Sequence, residues 1–249
     1  MPTHASQDLK YRIERPDYVT LSGAKVLAGF VVEDADMKKY KEQIDHDVLH
    51  ELIPHSVDEA MRDDTDLPLF VVCGASLTEI ASAYLLEPRI ADRLTVVWIG
   101  GGEHAELAPT PAGAPLMEYN LDQDIDAGMV VFNESNLRVW QVPRDRYRQV
   151  LASRSELIAR MAPAGALGRH LFEALGKVST MVAKLGMSTG ESYALGDSPL
   201  VLLTALQSAF EPDTAGSIWV TKPCPTLNRD GSYTENPVGR PLRVYTRLD

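Results

Sequence analysis

Short apolar runs recur along the chain and are separated by polar or helical segments. Each run has the length of a strand and is rich in β-branched and aromatic residues, which favour a buried sheet. The predicted strands are "KVLAGFVV" (25–32), "LPLFVVC" (67–73), "TVVWIG" (95–100), "LRVWQV" (137–142), "SIWVTK" (217–222) and "LRVYTR" (242–247). The segment "NRDGS" (228–232) between the last two runs has the composition of a turn.

The segments between these runs carry helical patterns. The spacings Ser56 to Glu59 and Ser76 to Glu79 fit capping boxes, and the first of them predicts a short helix through Met61. Further helices are predicted over 124–135, 146–161 and about 166–185, and a last one begins near Asp197, with a proline in its first turn. Alternating strands and helices indicate an α/β fold with an open, mostly parallel sheet flanked by helices. We see no domain boundary, so 1–249 is predicted to be a single domain.

The amino-acid composition limits the kinds of molecule that the protein is expected to bind. The net charge of −11 argues against nucleic acid or an anionic membrane as the main partner, because both need clustered Lys and Arg. No apolar run approaches the length of a membrane helix, and the polar start "MPTHASQDLKYRIERPDYV" does not resemble a signal peptide. The two cysteines, Cys73 and Cys224, match no metal-ligand spacing. A cytoplasmic protein with a small neutral or cationic ligand, or a metal, is the expectation.

Three polar segments follow predicted strands or precede a helix, namely Cys73–Thr78, Gly100–Asn120 and Gly196–Asp197. Ligands of an open parallel sheet bind outside the carboxyl ends of its strands, so these segments are expected to line one crevice. Their oxygens could hold a polyhydroxyl ligand such as a sugar, or equally Ca²⁺, which takes six to eight oxygen ligands. Capping the following helix is the simpler interpretation of Asp197.

In the segment "EYNLDQDIDAGMVVF" (118–132), closely spaced polar residues lead directly into an apolar run. Asp124 and Asp126 flank a predicted helix start, where carboxylates suit the helix dipole. Glu118 and Asn120 begin no predicted helix, so a ligand-binding role and a structural role are equally open for them. "GGG" (100–102) predicts a tight turn, and His104 is expected to be a solvated loop histidine. No G-x-S-x-G motif occurs, and the thiol of Cys73 lies in an apolar strand where it is expected to be inert.

The order of three segments resembles the inosine-uridine-preferring nucleoside hydrolase family. They are "LPLFVVCGASLTEIASAYLLEPRIADRLTVVWIGGG", "EYNLDQDIDAGMVVF" and "YALGDSPLVLL". The resemblance covers residues 57–235, whereas 1–55 match poorly. It implies an open, mostly parallel α/β sheet with a small C-terminal hairpin, hydrolysis of the N-glycosidic bond of a ribonucleoside, and a homo-oligomer.

The resemblance also implies roles for four residues. Glu118 and Asn120 would bind the hydroxyls of a ribose. The carboxylate of Asp197 and the backbone carbonyl of Cys73 would bind a Ca²⁺ that orients the sugar and supplies a water. Such a metal, with negative charge near the sugar, suits an oxocarbenium-like transition state.

The N-terminal part of this sequence does not match the family's N-terminal aspartate motif. Asp34 and Asp36 follow an apolar run, but Tyr40 and Lys41 stand where the family has paired aspartates, so we interpret the two aspartates as coincidental. Gly196 stands where purine-handling members often carry a histidine, and the general base and acid are therefore unassigned. Two interpretations follow. Either the chain is a nucleoside hydrolase without the family's N-terminal strands and ligands, or it is a catalytically impaired nucleoside- or sugar-binding homologue, or a subunit completed by a partner.

Overall fold

The computed structural model describes residues 25–27, 53–184, 186, 188, 190–205 and 216–248. Within these ranges the main sheet has six strands. They are β1 (Lys25–Leu27), β2 (Leu69–Cys73), β3 (Leu94–Ile99), β4 (Arg138–Val142), β7 (Ile218–Pro223) and β10 (Pro241–Arg247). Two small antiparallel pairs accompany it. They are β5 (Leu151–Ser153) with β6 (Ser192–Ala194), and β8 (Thr226–Leu227) with β9 (Tyr233–Thr234).

The strands of the main sheet lie in the order β1-β2-β3-β4-β10-β7. Neighbours from β1 to β10 are parallel, and only β7 runs antiparallel, beside β10. The register places Cys73 opposite Trp98, and Trp98 opposite Gln141. The carboxyl ends of β2, β3 and β4 therefore meet at one edge, as the alternating pattern predicts.

Helices cover both faces of the sheet. They are α1 (53–60), α2 (Thr78–Leu86), α3 (Tyr119–Asp122), α4 (Ile125–Met129), α5 (Arg144–Tyr147), α6 (Arg154–Glu156), α7 (Gly165–Lys184) and α8 (Ser198–Thr204). A π-helical turn extends α4 over Val130–Glu134, and another extends α6 over Leu157–Met161. In the described part of the chain, no helix is both long and apolar enough to cross a membrane.

The apolar residues divide between two layers. Every residue of β3 is buried, because Val96 and Trp98 face one layer while Val97 and Ile99 face the other. The larger layer contains residues from α2 and α4, and the smaller one contains residues from α8. A strand covered on both faces needs an unbroken apolar run, which is what "TVVWIG" provides.

The helix predicted over 146–161 is wrong. The chain instead forms α5, then β5, then α6 with its π-helical turn. The three residues of β5 pair with β6 and are therefore not helical. Leu151 and Ile158, which belong to the predicted apolar stripe, are exposed. Ser153 caps α6 by accepting a hydrogen bond from the Glu156 backbone N–H at 3.1 Å, which is the local reason for a helix start there.

Both predicted capping boxes are wrong as helix starts. Residue 53 is already helical, so α1 begins before Ser56. The N-cap residue of α2 is Leu77, with no side-chain cap, and the Ser76 hydroxyl instead lies 2.9 Å from that of Thr78. The helices over 124–135, 165–184 and 198–204, and the turn at 228–232, confirm the remaining helix and turn predictions, whereas residues 28–32 of the first predicted strand lie outside the described residues.

Candidate functional site

Two of the predicted polar segments meet where β2 ends. Gly74 directly follows Cys73, and a Cβ placed on Gly74 would lie 3.9 Å from the carboxyl carbon of Asp197. Asp197 therefore lies beside the carboxyl end of β2, close in the chain to the Cys73 carbonyl that the resemblance pairs with it. The indole N–H of Trp98 donates to the Ala75 carbonyl at 2.9 Å and ties this turn to β3.

Glu118 is fully buried and begins α3, which corrects the expectation that it begins no helix. Its Oε2 accepts from the backbone N–H of Gly101 at 2.7 Å and of Leu121 at 3.1 Å. Its Oε1 accepts from the Asn120 backbone N–H at 3.1 Å and from the Tyr147 hydroxyl at 2.7 Å. The carboxylate therefore joins the end of β3, α3 and α5.

Asn120 lies in the first turn of α3 and is half-buried. Its side-chain amide donates to the Ile99 carbonyl, the last residue of β3, at 2.8 Å. This bond holds the amide group at the carboxyl end of the sheet, where a ligand of a parallel α/β fold binds.

Tyr147 connects Glu118 to the Asp197 segment. Besides its bond to Glu118, its ring lies close enough that a Cβ placed on Gly196 would be 3.4 Å from its Cδ2 atom. Sequence reasoning placed Tyr147 on the apolar stripe of a helix and missed it as a site residue. Its position five residues after β4 was the available signal. We call Glu118, Asn120, Tyr147 and Asp197 the carboxyl-edge site.

Asp197 stands at the N-cap position of α8 but makes no side-chain capping bond. Its backbone is helical, with φ of −89° and ψ of −11°, whereas a capping side chain usually comes from an extended residue. The predicted capping role is therefore wrong. Asp197 remains partly exposed, yet desolvation by its surroundings raises the pKa of its carboxyl.

The donors of the carboxyl-edge site do not make a metal cage by themselves. Within the described ranges, no group of three or more His, Cys, Asp or Glu side chains could hold a metal ion. Asp34 and Asp36 lie outside those ranges. Burial and then the charge of Glu79 raise the pKa of the Cys73 thiol to about 12. One carboxylate and one carbonyl fall short of the six to eight oxygens of Ca²⁺.

Asp124 and Asp126 have the structural roles predicted for them. Asp124 caps α4 by accepting from the Ala127 backbone N–H at 3.0 Å, and it also accepts from the Thr78 hydroxyl. Asp126, in the first turn of α4, pairs with Arg229 at 2.6 Å. These carboxylates therefore support the helix behind the site.

The turn predicted at Gly100–Gly102 lies over Gln141. Gly101 has φ of +81°, and a Cβ on it would lie 2.4 Å from both Gln141 Nε2 and the Tyr233 hydroxyl. Gln141 Nε2 donates to the Gly100 carbonyl at 2.9 Å and to Tyr233 at 3.0 Å. The turn is thus fixed from below and presents its Gly101 N–H to Glu118.

His104 is buried at 2% exposure, which corrects the expectation of a solvated loop histidine. Its Nε2 lies 2.9 Å from Gln141 Oε1, an acceptor, so Nε2 carries the proton. Its Nδ1 therefore accepts from the Lys222 ammonium at 2.9 Å, and Lys222 also pairs with Glu106. Desolvation lowers the pKa of His104 and keeps it neutral, and its ring stacks on Tyr233 at 4.7 Å. We call Lys222, His104 and Gln141 the His104 chain.

A buried ion pair fixes the loop that leads into α3. Arg144 donates to both carboxylate oxygens of Glu103, at 2.7 and 2.6 Å, and to the Pro115 carbonyl at 2.6 Å. Desolvation raises the pKa of Glu103, but the hydrogen bonds and the charge of Arg144, with further hydrogen bonds to the carboxylate, together hold it below its usual value. A cavity of about 620 Å³ lies beside this loop, lined by His104, Lys222 and Tyr233 among others, and none of Glu118, Asn120 or Asp197 lines it.

Comparison with known proteins gives one consistent relationship. No family model matches the chain. An inosine-uridine preferring nucleoside hydrolase from Leishmania major is 45% identical over 84 residues, which are 33% of this chain and 25% of that protein. A solved inosine-uridine preferring nucleoside hydrolase from Bacillus anthracis superimposes with a TM-score of 0.53 at 19% identity, over 79% of this chain and 60% of the other. A plant nucleoside hydrolase gives a TM-score of 0.58 at 16% identity, over 81% and 62%.

The matched part of this chain therefore spans a quarter of the Leishmania protein's length and about three fifths of the solved structures. The sequence match and the fold match name the same kind of protein, which confirms the resemblance seen in the motifs. This chain has the nucleoside hydrolase fold, and a third of its sequence is similar to an inosine-uridine preferring nucleoside hydrolase.

Proposed function

We propose that the carboxyl-edge site binds a ribonucleoside through its sugar and that the chain is a nucleoside N-ribohydrolase. One observation carries the proposal. Asp197 lies beside the carboxyl end of β2, and Glu118 and Asn120 are hydrogen-bonded at the carboxyl end of the neighbouring strand β3, in a fold shared with nucleoside hydrolases. Parallel α/β folds bind their ligands at this edge.

Each residue of the carboxyl-edge site has a different role in binding a sugar. The Asn120 amide, fixed on Ile99, offers neutral hydrogen-bonding groups for a hydroxyl. Glu118 holds the Gly101 turn and the start of α3 in place, and a second hydroxyl can reach its carboxylate by replacing one of the donors that it already has. The carboxylate of Asp197 adds negative charge, which stabilises a sugar that becomes oxocarbenium-like as the base departs.

Calcium is the cofactor that the resemblance implies, with Asp197 and the Cys73 carbonyl as ligands. These two donors alone do not fit Ca²⁺, since the described residues offer no further cluster of ligands. We therefore derive no catalytic step through a metal-bound water. A calcium titration of the wild type and of Asp197→Asn, followed by calorimetry, tests the cofactor directly.

The second candidate is a nucleoside- or sugar-binding homologue without hydrolytic activity. It is favoured by the four hydrogen bonds that already occupy the Glu118 carboxylate. It is also favoured by the lack of a metal-ligand group in the described part of the chain. A subunit completed by a partner would behave in the same way when assayed alone.

The deciding experiment measures base release from a panel of purine and pyrimidine nucleosides by chromatography, with Ca²⁺ and with a chelator. We expect release by the wild type and by Asp122→Ala, a control that removes an exposed carboxylate from α3. Asp197→Ala is expected to abolish release. Binding of nucleosides without release would favour the second candidate, and neither binding nor release from folded protein would contradict both.

Three further expectations stay predictions. They are a single domain over 1–249, a homo-oligomer and a cytoplasmic location. Sedimentation velocity of the purified chain checks the oligomer.

A further inference from the structure

The acceptor positions of Glu118 are all in use. A carboxylate offers about four positions for hydrogen-bond donors. Three are taken by the backbone N–H groups of Gly101, Asn120 and Leu121. The fourth is taken by the phenol of Tyr147, at 2.7 Å from Oε1. A hydroxyl of a bound sugar therefore finds no vacant position on this carboxylate.

The four donors differ in how easily they leave. The three backbone groups belong to the Gly101 turn and the first turn of α3, and moving them would disrupt both elements. Tyr147 is a side chain at the end of the four-residue helix α5, half-buried against the smaller apolar layer, and releasing its hydroxyl breaks no backbone hydrogen bond. It is the donor that a ligand can displace at the lowest cost.

We propose that Tyr147 determines ligand specificity in the carboxyl-edge site by occupying the place on Glu118 that a furanose hydroxyl takes. Binding of the sugar displaces the phenol, and the sugar hydroxyl donates to Oε1 in its stead. The proposal rests on the proposed function, because it assumes that Glu118 binds the sugar. It names the ligand class as a furanose with free hydroxyls, such as ribose or a ribonucleoside.

The position of the Tyr147 ring explains how this one residue controls the access of a sugar to Glu118. Tyr147 lies between Glu118 and Gly196, which directly precedes Asp197. A sugar that contacts both Glu118 and Asp197 therefore lies next to this ring. A ligand without a hydroxyl to replace the phenol leaves Glu118 with a lost charge-assisted bond, so the site discriminates against it.

The alternative is a purely structural role, in which the hydrogen bond from Tyr147 to Glu118 only holds α5 against α3. The two roles predict opposite signs for the same substitution. If the phenol competes with the sugar, Tyr147→Phe removes the competitor and tightens binding. If the phenol is a brace or itself contacts the sugar, Tyr147→Phe leaves binding unchanged or weakens it.

The test measures ribose and 2-deoxyribose binding by isothermal titration calorimetry to the wild type, Tyr147→Phe and Tyr147→Phe/Asn120→Ala. We expect Tyr147→Phe to bind ribose roughly tenfold more tightly than the wild type, the worth of one hydrogen bond to a charged group. The double variant is expected to lose binding. Tyr193→Phe is the matched control, because Tyr193 is a half-buried tyrosine near Asp197 that makes no bond to Glu118.

Thermal melting confirms that each variant is folded, and Tyr147→Leu provides the same test should Tyr147→Phe not fold. Equal or weaker ribose binding by the Tyr147 variant overturns the specificity role while leaving the proposed function intact. Lack of ribose and nucleoside binding by every folded variant, including Tyr147→Phe, overturns the proposed function and the specificity role together.

Discussion

Single residues hold the turn that carries the carboxyl-edge site, and Gly101 is the most constrained of them. Its φ of +81° is a conformation that side chains rarely adopt. It also lies against Gln141 and Tyr233, so that a methyl group has no room. The run "GGG" predicts a turn from composition, but only the structure shows that Gln141 and Tyr233, both distant in sequence, require glycine there.

Gly101→Ala is expected to lower the free energy of unfolding by roughly 2–5 kcal/mol, from backbone strain and overpacking together. Gly113→Ala is the matched control, because Gly113 has a similar φ of +74° but nothing within 4 Å of its Cβ position. Urea unfolding of both variants separates the two causes. Equal losses would show that the contact with Gln141 and Tyr233 contributes nothing.

Glu118 shows why the site was only partly predictable at this scale. The carboxylates of Asp124 and Asp126 correctly indicated the start of α4. Glutamate is not among the preferred N-cap residues, so the start of α3 at Glu118 left no recognisable pattern. Whether Glu118, Asn120, Asp197 and the Cys73 carbonyl bind ligands stays a prediction.

At the scale of elements, apolar runs predicted the central strands better than periodicity predicted the helices. The strand β3 is buried on both sides and is apolar except for Thr95, and apolar residues of β2 and β4 pack into the same two layers. Over 146–161 a helical stripe is present, but β5 pairs with β6, forty residues away. Pairing between distant segments overrides a local pattern, and a single sequence does not show it.

The helix α5, which links β4 to the carboxyl-edge site, begins at Arg144, and Arg144 forms a buried ion pair with Glu103. The side chains of Arg144 and Glu103 are only 6% and 1% exposed. Arg144→Met leaves the Glu103 carboxylate buried and unpaired, which is expected to cost about 3–5 kcal/mol of unfolding free energy. Urea unfolding measures this loss.

Arg160→Met is the control for Arg144→Met. Arg160 pairs with Glu156 at the surface, where both side chains are well exposed, and such pairs contribute about 0–1 kcal/mol. We expect the control to change stability little. A loss from Arg144→Met no larger than that of the control would mean that the buried pair does not hold the loop.

At the scale of the whole molecule, the parallel sheet and the edge where its carboxyl ends meet could be predicted, whereas the polar interior could not. Alternating strands and helices fix where carboxyl ends meet, so the convergence of distant segments followed from the fold class. The His104 chain joins residues 37 and 118 positions apart. No local pattern encodes such contacts, and the usual solvation of loop histidines led to the wrong expectation for His104.

The His104 chain should make stability depend on pH. Burial lowers the pKa of His104 below its unfolded value of about 6.5. The unfolded chain therefore binds this proton first, so the contribution of neutral His104 is complete above about pH 6.5 and is lost as pH falls toward the folded pKa. His104→Gln removes this titration.

We expect the stability difference between the wild type and His104→Gln, measured by urea unfolding, to be largest near pH 7.5 and to shrink toward pH 5. His170→Gln, at an exposed histidine outside the His104 chain, is the control for replacing a histidine by glutamine. Folded His104 stays neutral until pH reaches its lowered pKa, and only there would protonation place an Nδ1–H against the Lys222 ammonium and break the bond that joins the loop to β7. A difference for His104→Gln that stays constant from pH 7.5 to 5 would mean that His104 keeps its proton affinity on folding, and that the chain from Lys222 to Gln141 does not depend on a neutral imidazole.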